Sequence, residues 1–387
     1  MKKVLAGVLG FILIVGAFYA IPELSERKLS YTVVRTEGTA YEVGYAEGKQ
    51  ILKQNPDFAN TLRNPFFLES NSRNFNRVLV ILKKYDPQLL EEMRGFSDAT
   101  GIPYQDVVTK LSTYGFRPPL PFGCTQMAVL SKVTGTGHTL VGRNYDFSDI
   151  EALTDRLLIV QTRSDSRSTL GMSQHVFGRY EGINQDGVYV GISAGWGKGR
   201  TAKGFFFPMV VRVLLDQSQT ADDAVALLKR LPLGGSYNYL IADPDHAYVV
   251  EVSPPRIAVR QPENCILAAT NHYVATSMRK ERMRVMANST LRYRTVIQAL
   301  NETPPINLAR VEKVLSSHGT EGVCMHAYAT FLGTMWSAAF DLEKGKAYYS
   351  FGAPCRNPFR EISLQAKPGK QSAEDYEAKL PPSDWKK

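Results

Sequence analysis

The 387-residue chain has little cysteine and little histidine, four of the first and six of the second. Cys124, Cys265, Cys324 and Cys355 form no C-x-x-C pair, and no Cys/His cluster has zinc-ligand spacing. A structural zinc module is therefore excluded, and four thiols are too few for a disulfide scaffold. A single bridge would best join Cys324 to Cys355. No internal period recurs that would build a solenoid. The net charge of +9 comes with no zinc-finger, RNP-type or other nucleic-acid signature. Basic residues are spread along the chain and densest in RKERMRVMANSTLRYR, 279–294. Weak attraction to anionic surfaces is the plainer meaning of that charge. The sequence carries no metal or cofactor motif, so none is expected.

Long hydrophobic runs are also scarce. The exception is Val4 to Ile21, uncharged and mostly apolar behind Lys2 and Lys3 and ended by Pro22. It reads as an export signal or an N-terminal membrane anchor, 1–23, placing the rest outside the cytoplasm. With Phe18 three residues before its end, the small-x-small cleavage pattern is poor, which tips the reading toward an anchor.

Residues 24–123 read as a short strand followed by mainly helical segments. Gly101 is a helix stop, and RPPLPFG, 117–123, is an irregular linker. From Cys124 to about 366 the pattern changes to short runs rich in Val, Ile, Thr and Tyr, divided by turn residues. Two helices interrupt them, one opening near Pro208 and one capped by Thr220. More helix follows in 280–316, then two closing strands. This order predicts an α+β body with helices covering antiparallel sheets. The tail, 367–387, is polar and expected to be loose.

The stretch PFGCTQMAVL, 121–130, places a thiol at the first residue of a strand, behind a glycine. SKVTGTG turns the chain, and HTLVGRNYDF returns beside it. A hairpin brings the end of its second strand to the start of its first, so Arg143, Asn144 and Asp146 should lie near Cys124. A nearby cation favours the thiolate. No histidine precedes Cys124 to act as its base. If the chain were cut between Gly123 and Cys124, the new α-amine, with a pKa of about 7.7–8.0, would be a base on the nucleophile's own residue. Asp146 could orient that amine, and Gly123 would permit a strained backbone at the cut.

GCTQMAV followed by GHTLVGRNYDF resembles the N-terminal-nucleophile cysteine hydrolases of linear amides. That group includes choloylglycine hydrolases, penicillin V acylase, acid ceramidase and the penicillin-forming acyl-CoA acyltransferases of peptidase family C45. EGTAYEVGYAEGKQI and LEEMRGFSDATGIPYQDV resemble the precursor segment of the acyltransferase branch. YEGINQDGVYVGIS, SYNYLIADPDHAYVVEVS, ATNHY, NSTLRY, VCMHA and TMWSAAFDLEKGKAYYSFGAPC continue the resemblance in order.

The resemblance implies a four-layer αββα fold, made as a precursor and cut after Gly123 into two chains that stay associated. It implies Cys124 as nucleophile, with Arg143 and Asp146 holding thiol and amine. It makes Asn271 an oxyanion donor and Arg292 the site's second arginine, with a backbone N–H near Ser193 completing the oxyanion hole. The substrate would be a small-molecule acyl amide, hydrolysed or used for acyl transfer; the apolar N-terminal run and the Phe-rich stretch favour a lipophilic acyl group over acylated amino acids, β-lactam side chains or bile-salt-like conjugates. Acyltransferase relatives often carry a neutral residue where Arg143 stands, so this arginine leans toward hydrolysis. Phe205, Phe206 and Phe207 are candidates for the acyl pocket. His272, His318 and His326 read as structural.

Two other readings stand beside this one. GISAG, 191–195, fits G-x-S-x-G and would make Ser193 the nucleophile of an α/β-hydrolase, but the WGKGRTAKG that follows is a poor helix. The chain could also be an anchored binding protein that keeps the fold without turnover.

Overall fold

A computed structural model describes residues 30–62, 70–112, 123–148, 156–174, 176–201, 204–283, 285–302, 305–319, 321–327, 332–363 and 366–372. The N-terminal apolar run and most of the Pro-rich linker lie outside them. Among the described residues, no helix is long and apolar enough to cross a membrane.

The strands are β1 (Ser30–Gly38), β2 (Gly123–Val129), β3 (Leu140–Ser148), β4 (Leu157–Arg163), β5 (Thr169–Ser173), β6 (Glu181–Asn184), β7 (Tyr189–Ala194), β8 (Tyr237–Ala242), β9 (Ala247–Ser253), β10 (Arg256–Arg260), β11 (Ile266–Ala269), β12 (His326–Ala327), β13 (Leu332–Asp341), β14 (Lys346–Phe351), β15 (Arg360–Ile362) and β16 (Gly369–Ser372). The helices are α1 (Ala40–Gln54), α2 (Phe58–Thr61), α3 (Ser72–Tyr85), α4 (Pro87–Thr100), α5 (Tyr104–Lys110), α6 (Phe207–Gln217), α7 (Ala221–Arg230), α8 (Ala287–Asn301) and α9 (Leu308–Leu315).

Several boundaries follow from local chemistry. Thr39 and Glu42 form a capping box at α1, and Thr220 and Asp223 form one at α7. Asp86 caps α4, where Pro87 opens the first turn, and Gly101 closes it at φ 70°.

Two sheets stack face to face. One runs β10-β9-β8-β7-β6-β5-β4-β1-β16, the other β11-β2-β3-β13-β14-β15, with β12 on β13. The alternation of strand side chains divides the core into layers. In β4, Leu157 and Ile159 pack outward with Met93, Phe96 and Leu214 of the helices, while Leu158 and Val160 point inward. Inward residues of both sheets meet in a second core containing Cys124, Val141, Trp336 and Phe340. On the far side Met127 and Val129 pack with Val296 of α8 and Val311 of α9. The order is helices, sheet, sheet, helices: the four-layer αββα arrangement expected from the sequence.

The segment before Gly123 is built into this body. Strand β1 lies between β4, parallel, and β16, antiparallel. Buried charges tie its helices to later elements. Glu92 of α4 pairs with Arg163 of β4 at 3.0 Å and with Arg212 of α6 at 2.5 Å, and Gln161 donates to Glu47 of α1 at 2.5 Å. The start of the tail departs from the loose segment expected. Residues 369–372 pair with Ser30 to Val33, because β1 would otherwise leave a sheet edge unpaired.

Candidate active site

The expected β2/β3 hairpin forms, and in its register Gly123 faces Asp146, Cys124 faces Tyr145 and Gln126 faces Arg143. Directly paired residues share a face, and neighbours alternate. The pleat therefore divides the predicted cluster. Cys124 and Arg143 point into the space between the sheets, where Arg143 Nη2 lies 4.0 Å from Cys124 Sγ. Asp146 is three residues from Arg143 and projects to the other face, beside Gly123. A Cβ on Gly123 would sit 2.8 Å from Asp146 Oδ2 and 2.6 Å from Met325 Sδ. A side chain here would require Met325 and Asp146 to shift. Thr334 Oγ1 holds the Asp146 carboxylate at 2.7 Å.

The main chain of Cys124 is gripped from the α8 side. Its N–H donates to Asn271 Oδ1 at 2.8 Å, and its carbonyl accepts from Arg292 Nη1. Arg292 also donates to Thr125 Oγ1 at 2.9 Å and to Asn271 Oδ1 at 2.8 Å. Arg292 is almost fully buried, so it is no solvated helix charge. Asn271 Nδ2 donates to the Ala194 carbonyl at 3.2 Å. This side chain has its acceptor on Cys124 and its donor on the strand expected to supply the oxyanion N–H.

One residue of the cluster escaped the sequence reading. Glu181, on β6, forms a fully buried ion pair with Arg143 Nη1, and its other oxygen accepts from Trp336 Nε1 at 2.8 Å. Arg143 Nη2 also donates to the Ile192 carbonyl at 2.8 Å, and its guanidinium stacks 5.1 Å from the Tyr145 ring. A glutamate opening the strand EGIN carries no local signal of this role. It becomes visible only when β6 is laid against the second sheet.

Burial dominates the electrostatics. It pushes the Cys124 thiol up to about 11; Arg143 and Arg292 work against this and Asp146 adds to it. Burial also raises Glu181 to about 7, even beside Arg143. The thiol is therefore protonated near neutral pH.

Cys124 and Arg143 open onto a cavity of about 220 Å³. Tyr145, Tyr180, Trp196, Phe207 and Tyr237 supply much of its wall, and exposed Arg200 also lines it. Aromatic walls and few polar groups suit an apolar group bound next to a reacting carbonyl.

Residues 133–356 match the family model described as acyl-coenzyme A:6-aminopenicillanic acid acyl-transferase. The chain belongs to this family. Arg143, Asp146, Asn271 and Arg292 fall inside the matched region, and Cys124 lies nine residues before it. Membership of this acyltransferase family and the αββα layering agree with the N-terminal-nucleophile fold expected from the sequence.

No curated protein sequence matches the chain. Similar solved structures include a Caenorhabditis elegans ortholog of N-acylethanolamine-hydrolyzing acid amidase, at 13% identity and TM-score 0.42. That match covers 57% of this chain and 93% of that one. A conjugated bile acid hydrolase from Clostridium perfringens shares 15% identity at TM-score 0.41, covering 65% and 96%. Penicillin V acylase from Agrobacterium tumefaciens shares 11% at 0.41, covering 59% and 83%. Similarities this distant transfer no role.

The remaining expectations fare unequally in this acyl-transferase family member. Phe206 and Phe207 line the cavity, but Phe205 does not. It turns into the helical core against Tyr85, ring centroids 5.9 Å apart, because successive side chains cannot all face one way. Ser193 lies inside β7 opposite Asn238, not on a strand-to-helix elbow. Its hydroxyl donates to the Thr270 carbonyl at 3.0 Å and accepts from Gln126 at 3.2 Å. That is a buried structural hydroxyl, and the serine-hydrolase reading loses its geometric basis. His272 is held by Ser289 at 2.8 Å, and burial, with Arg282 and Arg292, pushes it down to about 4. It is therefore neutral and fixed in a hydrogen-bonded cluster with Thr270 and Ser289.

Proposed function

We propose that the protein is a cysteine amidohydrolase or acyltransferase, activated by its own cleavage between Gly123 and Cys124, that acts on linear N-acyl amides. The observation that carries this reading is the convergence on one residue. The thiol of Cys124 meets Arg143, its amide meets Asn271 and its carbonyl meets Arg292, and Cys124 and Arg143 line an aromatic cavity.

In the first step the Cys124 sulfur attacks the Gly123 carbonyl. A C–S bond forms, the C–N bond breaks, and the nitrogen leaves with the thiol proton as the α-amine of Cys124. Water hydrolyses the thioester. That amine then takes the thiol proton in each turnover. The thiolate attacks the substrate carbonyl, and Asn271 Nδ2 turns from Ala194 to the oxyanion. The amine product departs with a proton, leaving an acyl-enzyme on Cys124. Water completes hydrolysis; an amine acceptor would complete acyl transfer. The aromatic cavity favours a lipophilic or ring-bearing acyl group. The apolar run behind Lys2 and Lys3 supports an extracytoplasmic, membrane-anchored placement.

Mass spectrometry of active protein should find a fragment beginning at Cys124. Cys124→Ala should abolish both that fragment and turnover of acyl amides, while Ser193→Ala should keep both. Active protein consisting only of intact chain would sink the proposal.

A further inference from the structure

We propose that Cys324 and Cys355 are a disulfide site, and that the bridge pins the wall standing against Gly123. Cys324 and Ala353, each 6% exposed, form a small apolar cluster with half-buried Cys355. The Cys324 thiol is within hydrogen-bond reach of both the thiol and the backbone amide of Cys355. The two are not bonded in this structure. Their backbones hang from one short stretch after α9. Cys324 N–H donates to the Ser317 carbonyl at 2.8 Å, and Ser316 Oγ donates to the Pro354 carbonyl at 3.1 Å. The neighbouring Gly352 N–H donates to Met335 at 2.9 Å. Two thiols packed in one cluster, on backbones fixed to a common support, are placed for a bridge that demands little backbone movement.

The position gives the bridge its consequence. Met325 follows Cys324, and a Cβ on Gly123 would come within 2.6 Å of its sulfur. Met325 N–H donates to Thr334 Oγ1 at 2.9 Å, its carbonyl accepts from Thr334 N–H at 2.9 Å, and that same hydroxyl holds Asp146. A covalent tie at Cys324 therefore restrains the residue packed on Gly123 and the hydroxyl that orients Asp146. Cys355 is exposed enough for an oxidant to reach. In the exchange, two S–H bonds give way to one S–S bond, and the two electrons reduce an acceptor disulfide to two thiols, which take the two protons.

The test uses the full chain, one sample incubated with oxidised glutathione and one with dithiothreitol. Each is desalted, alkylated in denaturant and digested. Peptide mapping should find Cys324 and Cys355 joined in the oxidised sample and singly alkylated in the reduced one. Separate alkyl or glutathione adducts on the two in the oxidised sample would overturn the site. The wall is read by the rate at which iodoacetamide labels Cys124 in the folded chain. Labelling should be several-fold faster after reduction and independent of redox state in Cys355→Ser. Equal rates in both wild-type samples would overturn the pinning. Neither readout requires cleavage or turnover, so failure of the proposed activity is distinguishable from failure of the bridge.

Discussion

At the scale of single residues, the site depends on charges that have no water to share. Arg143 and Glu181 are both fully buried. Removing one partner of such a pair strands the other, at a cost of about 3–5 kcal/mol. Glu181→Ala is expected to lose stability of that order in denaturant unfolding. Glu181→Gln keeps the shape and the Trp336 contact while removing a negative charge near the thiol. The alkylation of Cys124 should then titrate at lower pH than in the parent. An unchanged titration would place Glu181 outside the electrostatics of the Cys124 thiol.

Asn271 invites a different comparison. Asn271→Asp keeps an acceptor for the Cys124 N–H but loses the Nδ2 donor. Cleavage at Gly123 should still proceed, while turnover by the mature form should fall on the order of 10²–10³-fold, the usual loss for one oxyanion donor. Asn271→Asp turning over at the parental rate would remove it from that role. Asn271 and Arg292 became candidates through family resemblance. Their spacing from Cys124, more than a hundred residues, carries no physical signal until β11 lies beside β2.

At the scale of elements, helices α1 and α4 cross through glycine. A Cβ on Gly44 would overlap the Glu92 carbonyl, and one on Gly95 would overlap that of Tyr41. The obstacle is backbone, which cannot step aside as a flexible side chain can. Gly44→Ala should push the helices apart and destabilise the chain by about 1–3 kcal/mol, as overpacking does. The melting temperature should fall accordingly, and an unchanged value would show that the helices separate at no cost. Helix ends and the hairpin were legible in the sequence, since caps, prolines and alternation are local. The split of Arg143 and Asp146 onto opposite faces was also implicit in their odd spacing, though a reading by proximity alone merges them. Phe205 shows the same limit: three consecutive aromatics look like one wall until the chain direction assigns each a face.

At the scale of the whole molecule, the segments before and after Gly123 share a buried charged interface. Glu47, Glu92 and Asp86 come from the first, and Arg163, Arg179, Arg212 and Asp216 from the second. Burial works to raise Glu92, but Arg212 and Arg163 outweigh it and hold it low. For Glu47, Arg179, Arg212 and Gln161 do not offset burial. Burial first, and the charge of Glu92 second, push it up to about 8. Burial, with Asp216 adding to it, raises Asp86 to about 7. A carboxyl that binds its proton more tightly folded than unfolded contributes stability below the unfolded value of about 4.5. That contribution is lost as pH climbs through the folded value. Stability should therefore decline between about pH 5 and pH 8 on account of Glu47, and Glu47→Gln should flatten that decline in melting temperature. A parent and variant with parallel profiles would show that Glu47 does not titrate in this window.

The sequence by itself determined what is local or periodic. That includes the order of elements, the helix caps, the hairpin that mounts Cys124 and the glycine before it. Side-chain pattern and turn chemistry act over a few residues, so they can be read a few residues at a time. Only the tertiary structure decided which distant groups share the dry space around that thiol. It brought Glu181 to Arg143, and Asn271 and Arg292 to the Cys124 backbone. The physical reason is that a buried charge or thiol takes its properties from whatever the folded sheets place within a few ångströms, and chain distance says nothing about that.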